Sequence, residues 1–244
     1  MRWIVTTALV VAGVAVTGCG IDQYADQGSA TSTAGPAAAA PPGATAATGR
    51  APAPQAVAIA RTELAKVAVT SIPREDSSYQ RDAFGDAWSD AAVGVVYARN
   101  GCDTRNDVLK RDAMPGTVRI KANTHNCKVL GGRWTSPYTG RVLTSTRSVQ
   151  IDHVVPLGRA WAAGAKSWDA QRRLAFANDP DNLMAVDGSS NQSKGDKGPS
   201  AWRPKQPFQC AYAVHYLYST TKYRLPVSPS DRAALGQMLG TCPR

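Results

Sequence analysis

Three short groups of residues between positions 150 and 200 carry the side chains best suited to chemistry. They are Asp152-His153-Val154-Val155-Pro156, Asp181-Asn182-Leu183 and Asn191-Gln192-Ser193-Lys194-Gly195-Asp196. Hydrolysis of a phosphodiester calls for these types. A base must take a proton from water near neutral pH, and histidine, with an ordinary pKa of about 6.5, suits that task at His153. The scissile phosphate and the departing oxygen need a hard cation to absorb developing charge. Mg²⁺ prefers oxygen ligands, commonly one or two carboxylates completed by water and substrate phosphate. Asp152 offers a carboxylate beside the base, and Asn191 offers a neutral carbonyl oxygen. Each residue also has a plainer reading. His153 alone would be a structural histidine, Asn182 a turn residue, Asn191 a helix cap, and Lys194 and Lys197 solvated charges. The ordered combination is what points to chemistry.

Those groups need elements to hold them. Ser148 to Val155 predicts a strand with Val149, Ile151 and Val154 apolar, ended by Pro156. Leu183 to Val186 predicts a second strand and Ser190 to Lys194 a small helix, with helices over Leu157–Ala165 and Asp169–Ala177 inserted between the strands. The result is a β–β–α unit. Neighbouring strand residues face opposite sides, so Asp152 and His153 reach one site only if the strand bends or ends there. Upstream, helices are expected over Val57–Thr70, over Ser78–Ala92 with Tyr79, Phe84 and Trp88 turned inward, and over Asp103–Asp112. Strands are expected at Thr117–Ile120, Cys127–Leu130 and Arg141–Thr144, with Gly-Gly and Pro-Tyr-Thr-Gly turns between the last two. Helices over Phe208–Lys222 and Ser230–Leu239 close the chain, and His215, among Tyr212, Tyr216 and Tyr218, reads as packing. The fold class is α+β, helix-rich around a small sheet.

The three groups resemble the HNH (ββα-metal) nuclease motif in its D-H…N…N-x-x-K form. Over most of residues 79–243 the chain also resembles exported actinobacterial HNH proteins, which are grouped with the C-terminal domain of GmrSD-type restriction endonucleases. The stretches that carry this are Tyr79-x-Arg81-x-x-Phe84-Gly85-x-x-Trp88, Gly101-Cys102-Asp103-Thr104-Arg105-Asn106, Pro137-Tyr138-Thr139-Gly140, Gln150-Ile151-Asp152-His153, Ala160-Trp161, Phe176-Ala177-Asn178-Asp179 and Asn182-Leu183 through Asp196. The resemblance implies a ββα-metal core, with His153 as general base and Asp152 and Asn191 as metal ligands. It also implies that Asn182 positions the loop of the base and that Lys194 contacts phosphate. Asn191 in place of a histidine favours one Mg²⁺ or Mn²⁺ ion over zinc or nickel. Asp103 and Arg105 recur in the resemblance and would either line the substrate cleft or form a helix-end ion pair.

Composition places this site in a compartment. The 244 residues carry 28 Lys+Arg against 18 Asp+Glu, a net charge of +10, and a 43% hydrophobic content that excludes a wholly disordered chain. Residues 73–244 hold 24 basic and 15 acidic side chains, so nearly all the excess lies downstream and polyanions are its natural partners. Ile4 to Val16 is too short to span a bilayer but suits the apolar region of a signal peptide over residues 1–18. Val16-Thr17-Gly18-Cys19 resembles a bacterial lipobox, implying cleavage before Cys19 and its acylation as a membrane anchor. Residues 19–56 are rich in Ala, Pro, Gly and Thr. Asp22 to Pro54 holds no Leu, Ile, Val, Phe or Trp, which predicts a flexible tether of roughly 30 Å reach. Residues 57–244 are then the folded domain.

With Cys19 assigned to the anchor, four of the five cysteines remain to pair in an oxidising compartment. Of three connectivities, nearest-neighbour pairing gives Cys102–Cys127 and Cys210–Cys242. A zinc site from Cys102, His125 and Cys127 lacks the paired C-x-x-C spacing. The expected protein is a lipid-anchored, outward-facing, monomeric endonuclease acting on nucleic acid, DNA more than RNA. Its sequence preference would be weak, because no recognition-helix or zinc-finger signature is present. A non-catalytic lipoprotein that binds DNA or another polyanion, and an antibacterial nuclease effector, are the competing readings.

Overall fold

The computed structural model describes residues 52–124 and 127–243. The signal-peptide region, Cys19, the tether up to residue 51 and His125 lie outside the described residues. No helix among the described residues is long and apolar enough to cross a membrane.

Seven α-helices and six short strands are present among the described residues. Helix α1 (Pro54–Lys66) leads into a 3-10 turn at Arg81–Phe84 and then α2 (Thr104–Asp112). Strands β1 (Arg119–Ile120), β2 (Val129–Gly131), β3 (Trp134–Thr135) and β4 (Val142–Leu143) follow, then β5 (Val149–His153). After β5 come α3 (Leu157–Ala162), α4 (Ala170–Ala177), β6 (Leu183–Asp187), α5 (Gly188–Lys194), α6 (Gln209–Tyr223) and α7 (Pro229–Leu239). The strands form three separate antiparallel pairs, β1–β2, β3–β4 and β5–β6. The α+β class stands, and β5–β6–α5 is the expected β–β–α unit, with α3 and α4 inserted between its strands.

The β5–β6 ladder pairs Val149 with Asp187 through to His153 with Leu183. Alternation then gives the ladder two working faces. Val149, Ile151, Leu183 and Ala185 join Val108, Leu109 and Trp134 in one core, while Met184 and Val186 join a larger core built by α1, α3, α6 and α7. Arg111 of α2 locks that helix to β6 by donating to the carbonyls of Pro180 and Leu183, both at 2.6 Å. Asp112 beside it accepts the Ala185 N–H at 2.8 Å. The disulfides Cys102–Cys127 and Cys210–Cys242 tie the start of α2 to the approach to β2 and the start of α6 to the end of α7. With Cys102 and Cys127 oxidised together, neither can serve as a zinc thiolate.

Most element edges fall within a few residues of expectation, and capping explains several. Asp103, Asp169 and Ser228 stand one residue before α2, α4 and α7, and each accepts a backbone N–H of the first turn. The helix expected over Ser78–Ala92 does not form. Only the 3-10 turn exists there, because Gly85 takes φ +80° and a Cβ at that position would meet Leu174 Cδ1 at 2.8 Å. Trp88 follows with φ 60°, which turns the chain again. The aromatics still turn inward: Phe84 is buried against Phe176 and Trp161, and Tyr79 lies against Trp161. Strand β3 was not expected.

His215 is buried on α6, and its Nε2–H donates to the carbonyl of Asp181. Burial, reinforced by the Arg111 charge, lowers its pKa to about 4. The unfolded chain, near pKa 6.5, therefore binds a proton that the folded chain refuses, so stability falls as pH drops from 6.5 towards 4. At pH 5 this one residue should cost about 2 kcal/mol relative to pH 7.5. Chemical denaturation of wild type and His215→Gln at both pH values should show the pH dependence reduced by that amount in the variant.

Candidate active site

Asp187 fixes the helix that carries Asn191 and Lys194. It caps α5 through the Ser190 N–H at 3.0 Å and also accepts the hydroxyls of Ser136, Thr139, Ser189 and Ser190. Burial alone would raise its carboxyl, but these donors outweigh burial and hold it well below the usual carboxylate range. Helix α5 thus lies across the β5 face that presents Gln150 and Asp152. The Asn191 side-chain amide donates to Gln150 Oε1 at 2.9 Å, and one turn later Lys194 meets Asp152.

Lys194 is fully buried. Its ammonium lies 3.1 Å from Asp152 Oδ1 and 3.0 Å from Oδ2, and donates to the His153 carbonyl at 2.8 Å. Tyr138, from the Pro-Tyr-Thr-Gly turn, donates its hydroxyl to Asp152 Oδ2 at 2.5 Å. Burial pushes the Asp152 carboxyl up and the Lys194 ammonium down, and each charge opposes the shift in the other. With its ammonium turned inward, Lys194 in this arrangement reaches Asp152 and not the surface.

His153 leaves the opposite face of β5. Its ring stacks on Trp88, with centroids 6.1 Å apart and planes at 12°. Its Nε2 lies 2.8 Å from the carbonyl of Ala177, one of the end-of-helix carbonyls of α4 that have no partner within the helix. A carbonyl only accepts, so Nε2 carries the proton and Nδ1 keeps its lone pair. Nδ1 has no hydrogen-bond partner among the described residues. Burial lowers the pKa of the ring to about 3, the Arg81 and Lys194 charges act in the same direction, and the Ala177 carbonyl opposes them. The ring is therefore neutral at physiological pH. It lines a pocket of about 20 Å³, together with Arg81, Asp86, Trp88 and Asn178. That is room for about one water molecule. Asn178 is buried in the same wall, and its Oδ1 has no partner.

Asn182 anchors the segment leaving β5. It is fully buried, and its side chain accepts the Val155 N–H at 2.9 Å and donates to the Val155 carbonyl at 3.1 Å. Asp103 and Arg105 are occupied with structure. Asp103 caps α2 through Asn106, and Arg105 donates to the carbonyls of Thr146 and Val149, both at 3.2 Å. They make no ion pair with one another.

The structure thus gathers Asp152, Asn191 and Lys194 on one face of β5, with Tyr138 and Gln150 as partners the sequence reading did not identify. It sets His153 on the other face with Trp88 and Arg81. For Tyr138 the available signal was its place in the recurring Pro-Tyr-Thr-Gly stretch, which reads only as a turn. Among the described residues no group of three or more His, Cys, Asp or Glu side chains could hold a metal. Asp152 and Asn191 offer a different donor set of one carboxylate and one amide oxygen, since the Asn191 nitrogen is committed to Gln150. Two hard oxygens with water completing the sphere suit Mg²⁺ or Mn²⁺. The Lys194 ammonium shares the carboxylate, so such an ion and the ammonium compete for Asp152.

A family profile described as the C-terminal domain of GmrSD restriction endonucleases matches residues 103–237. A protein of Arthroderma benhamiae described as an uncharacterized secreted protein is 42% identical over 144 residues, which cover 58% of this chain and 68% of the relative. No solved structure matches the chain.

Proposed function

This chain belongs to the family of GmrSD restriction endonuclease C-terminal domains, and from that premise we propose that it is a metal-dependent HNH endonuclease that hydrolyses phosphodiesters in nucleic acid, DNA in preference to RNA. The observation that carries the reading is the state of His153. Its Nε2–H is held by Ala177 and its Nδ1 is unbonded, on the β–β–α unit that carries Asp152 and Asn191 on the other face of β5.

In this reading His153 Nδ1 takes the proton of the attacking water. The Ala177 carbonyl fixes the tautomer and stabilises the imidazolium that forms, while Trp88 holds the ring plane. Asn182 keeps the strand exit in place, so the ring does not drift from the phosphate. Asp152 and Asn191 lie on the other face of β5, so a divalent ion they held would screen charge on the same scissile phosphate and leaving oxygen around the strand end at His153. Lys194 balances the Asp152 carboxylate from inside the fold. The net charge of +9 over residues 73–244 holds the backbone without reading bases, so sequence preference is weak. The secreted relative, together with the signal-like N-terminus and the lipobox at Cys19, supports an exported protein anchored outside the membrane on its 19–56 tether. The nuclease domain, a ββα-metal core within residues 57–244, acts as a monomer.

The test is incubation of the purified protein with duplex DNA, single-stranded DNA and RNA in Mg²⁺ or Mn²⁺, with and without chelator. Cleavage that chelator stops, strongest on DNA, supports the reading. The closeness of Lys194 to Asp152 favours one alternative, a polyanion-binding lipoprotein that keeps the fold without catalysis. That alternative predicts salt-sensitive binding to all three polymers and no cleavage.

A further inference from the structure

We propose that Arg81 is the phosphate clamp of this active site, a guanidinium that grips the non-bridging oxygens of the scissile phosphate while His153 activates water. The inference rests on the nuclease reading and adds to it a substrate-contacting residue upstream of position 103, beyond the span of the family match.

Three observations converge on Arg81. It lines the small pocket that holds His153. It is exposed and makes no ion pair among the described residues, although Asp82 and Asp86 are close in sequence. Its charge also acts on the His153 ring, and its side chain hydrogen-bonds the Tyr79 hydroxyl, which steadies it at the pocket.

The turn that carries Arg81 is rigidly mounted. Phe84 is buried against Phe176 and Trp161, with ring centroids 6.2 and 6.1 Å away. Arg173 donates to the Ala83 carbonyl at 2.7 Å. Gly85 then makes the exit at φ +80°, a backbone conformation that residues with a side chain rarely adopt, with Leu174 Cδ1 only 2.8 Å from where a Cβ would sit. A rigid turn of this kind, 72 residues before His153 in the chain, holds a cation beside the base at little ordering cost when substrate arrives.

The chemistry of the pocket calls for that cation. A water activated by His153 attacks phosphorus, so the phosphorus must lie within a few ångströms of the ring, and its equatorial oxygens gain charge as the bond forms. Guanidinium presents two parallel N–H donors matched to two phosphate oxygens and stays charged at any working pH. Lys194, the other cation near His153, is buried and committed to Asp152. Arg81 is therefore the exposed cation that lines the same pocket as the ring.

The experiment is single-turnover cleavage of a saturating DNA duplex by wild type, Arg81→Ala and Arg81→Lys. It includes DNA affinity measured in chelator, melting temperature, and a phosphorothioate at the scissile position. The expected result is a rate about 10²–10³-fold lower for Arg81→Ala. Melting should be unchanged, Arg81→Lys should recover part of the rate, and the thio effect should be smaller in Arg81→Ala than in wild type. A wild-type rate at saturation in Arg81→Ala, or a loss confined to affinity, overturns the clamp while leaving the nuclease reading intact. A loss of rate with an unchanged thio effect also overturns it. A wild type that cleaves nothing overturns the nuclease reading, and the clamp with it.

Discussion

His153→Ala should lower the rate of cleavage at saturating DNA by about 10²–10⁴-fold, the usual contribution of a positioned general base. DNA affinity should hardly change, because His153 lies in a pocket wall and the positive charge that holds the backbone is spread over residues 73–244. The size of the effect follows from the geometry. The Ala177 carbonyl commits Nε2 as donor, which leaves Nδ1 as the basic atom of the ring. A His153→Gln variant separates the base from its scaffold. Its amide can still donate to Ala177 and pack on Trp88, yet it has no atom basic enough to take a proton from water. Both variants should be equally slow in single-turnover assays. If glutamine restored the rate to within tenfold of wild type, His153 would be a structural residue and the base would lie elsewhere.

Lys194→Met should destabilise the fold by about 3–5 kcal/mol, the cost of leaving one partner of a buried pair alone. Methionine fills a similar volume, so the loss reports the Asp152 carboxyl left with only Tyr138 as donor. The same substitution removes the cation that competes with a metal for Asp152. A divalent ion should therefore stabilise Lys194→Met more than it stabilises wild type, the variant gaining about 2.7 kcal/mol at an ion concentration 100 times its own dissociation constant. Thermal unfolding with Mn²⁺ and with chelator measures both effects. A variant as stable as wild type would show that Lys194 does not neutralise Asp152. An equal Mn²⁺ shift in the two proteins would show that ammonium and metal do not share that carboxylate.

What the sequence revealed of this site, and what it concealed, has a physical pattern. The β–β–α unit was readable because Val149 and Ile151 alternate with Gln150 and Asp152, and because Asp181-Asn182-Leu183 opens the paired strand. The disulfide partners were readable from compartment and chain order. Asp103 at the N-terminus of α2 was readable because an acid suits the positive end of a helix.

The segment Ser78–Ala92 misled because its aromatic spacing is helical while its backbone is not. Gly85 and Trp88, both at positive φ, fold it into a turn that still buries Phe84 and half-buries Tyr79 and Trp88. Lys194 illustrates a different limit. Its spacing from Asn191 puts both on one face of α5, but whether that face meets solvent or a buried carboxylate depends on how the helix lies on β5. Tyr138 is 14 residues from Asp152, and nothing local announces that its hydroxyl will cap that carboxylate. The alternation rule did anticipate a real feature: Asp152 and His153 leave opposite faces of β5, and the strand ends at His153.

The most direct measurement is the nicking and linearisation of supercoiled plasmid by the purified protein in Mg²⁺ or Mn²⁺, run beside chelator and beside His153→Ala. Wild type should cut the plasmid, and both chelator and the substitution should abolish cutting, with binding to the plasmid retained in His153→Ala. Plasmid left intact by wild type, or cut equally well by His153→Ala, would contradict a metal-dependent nuclease with His153 as its base.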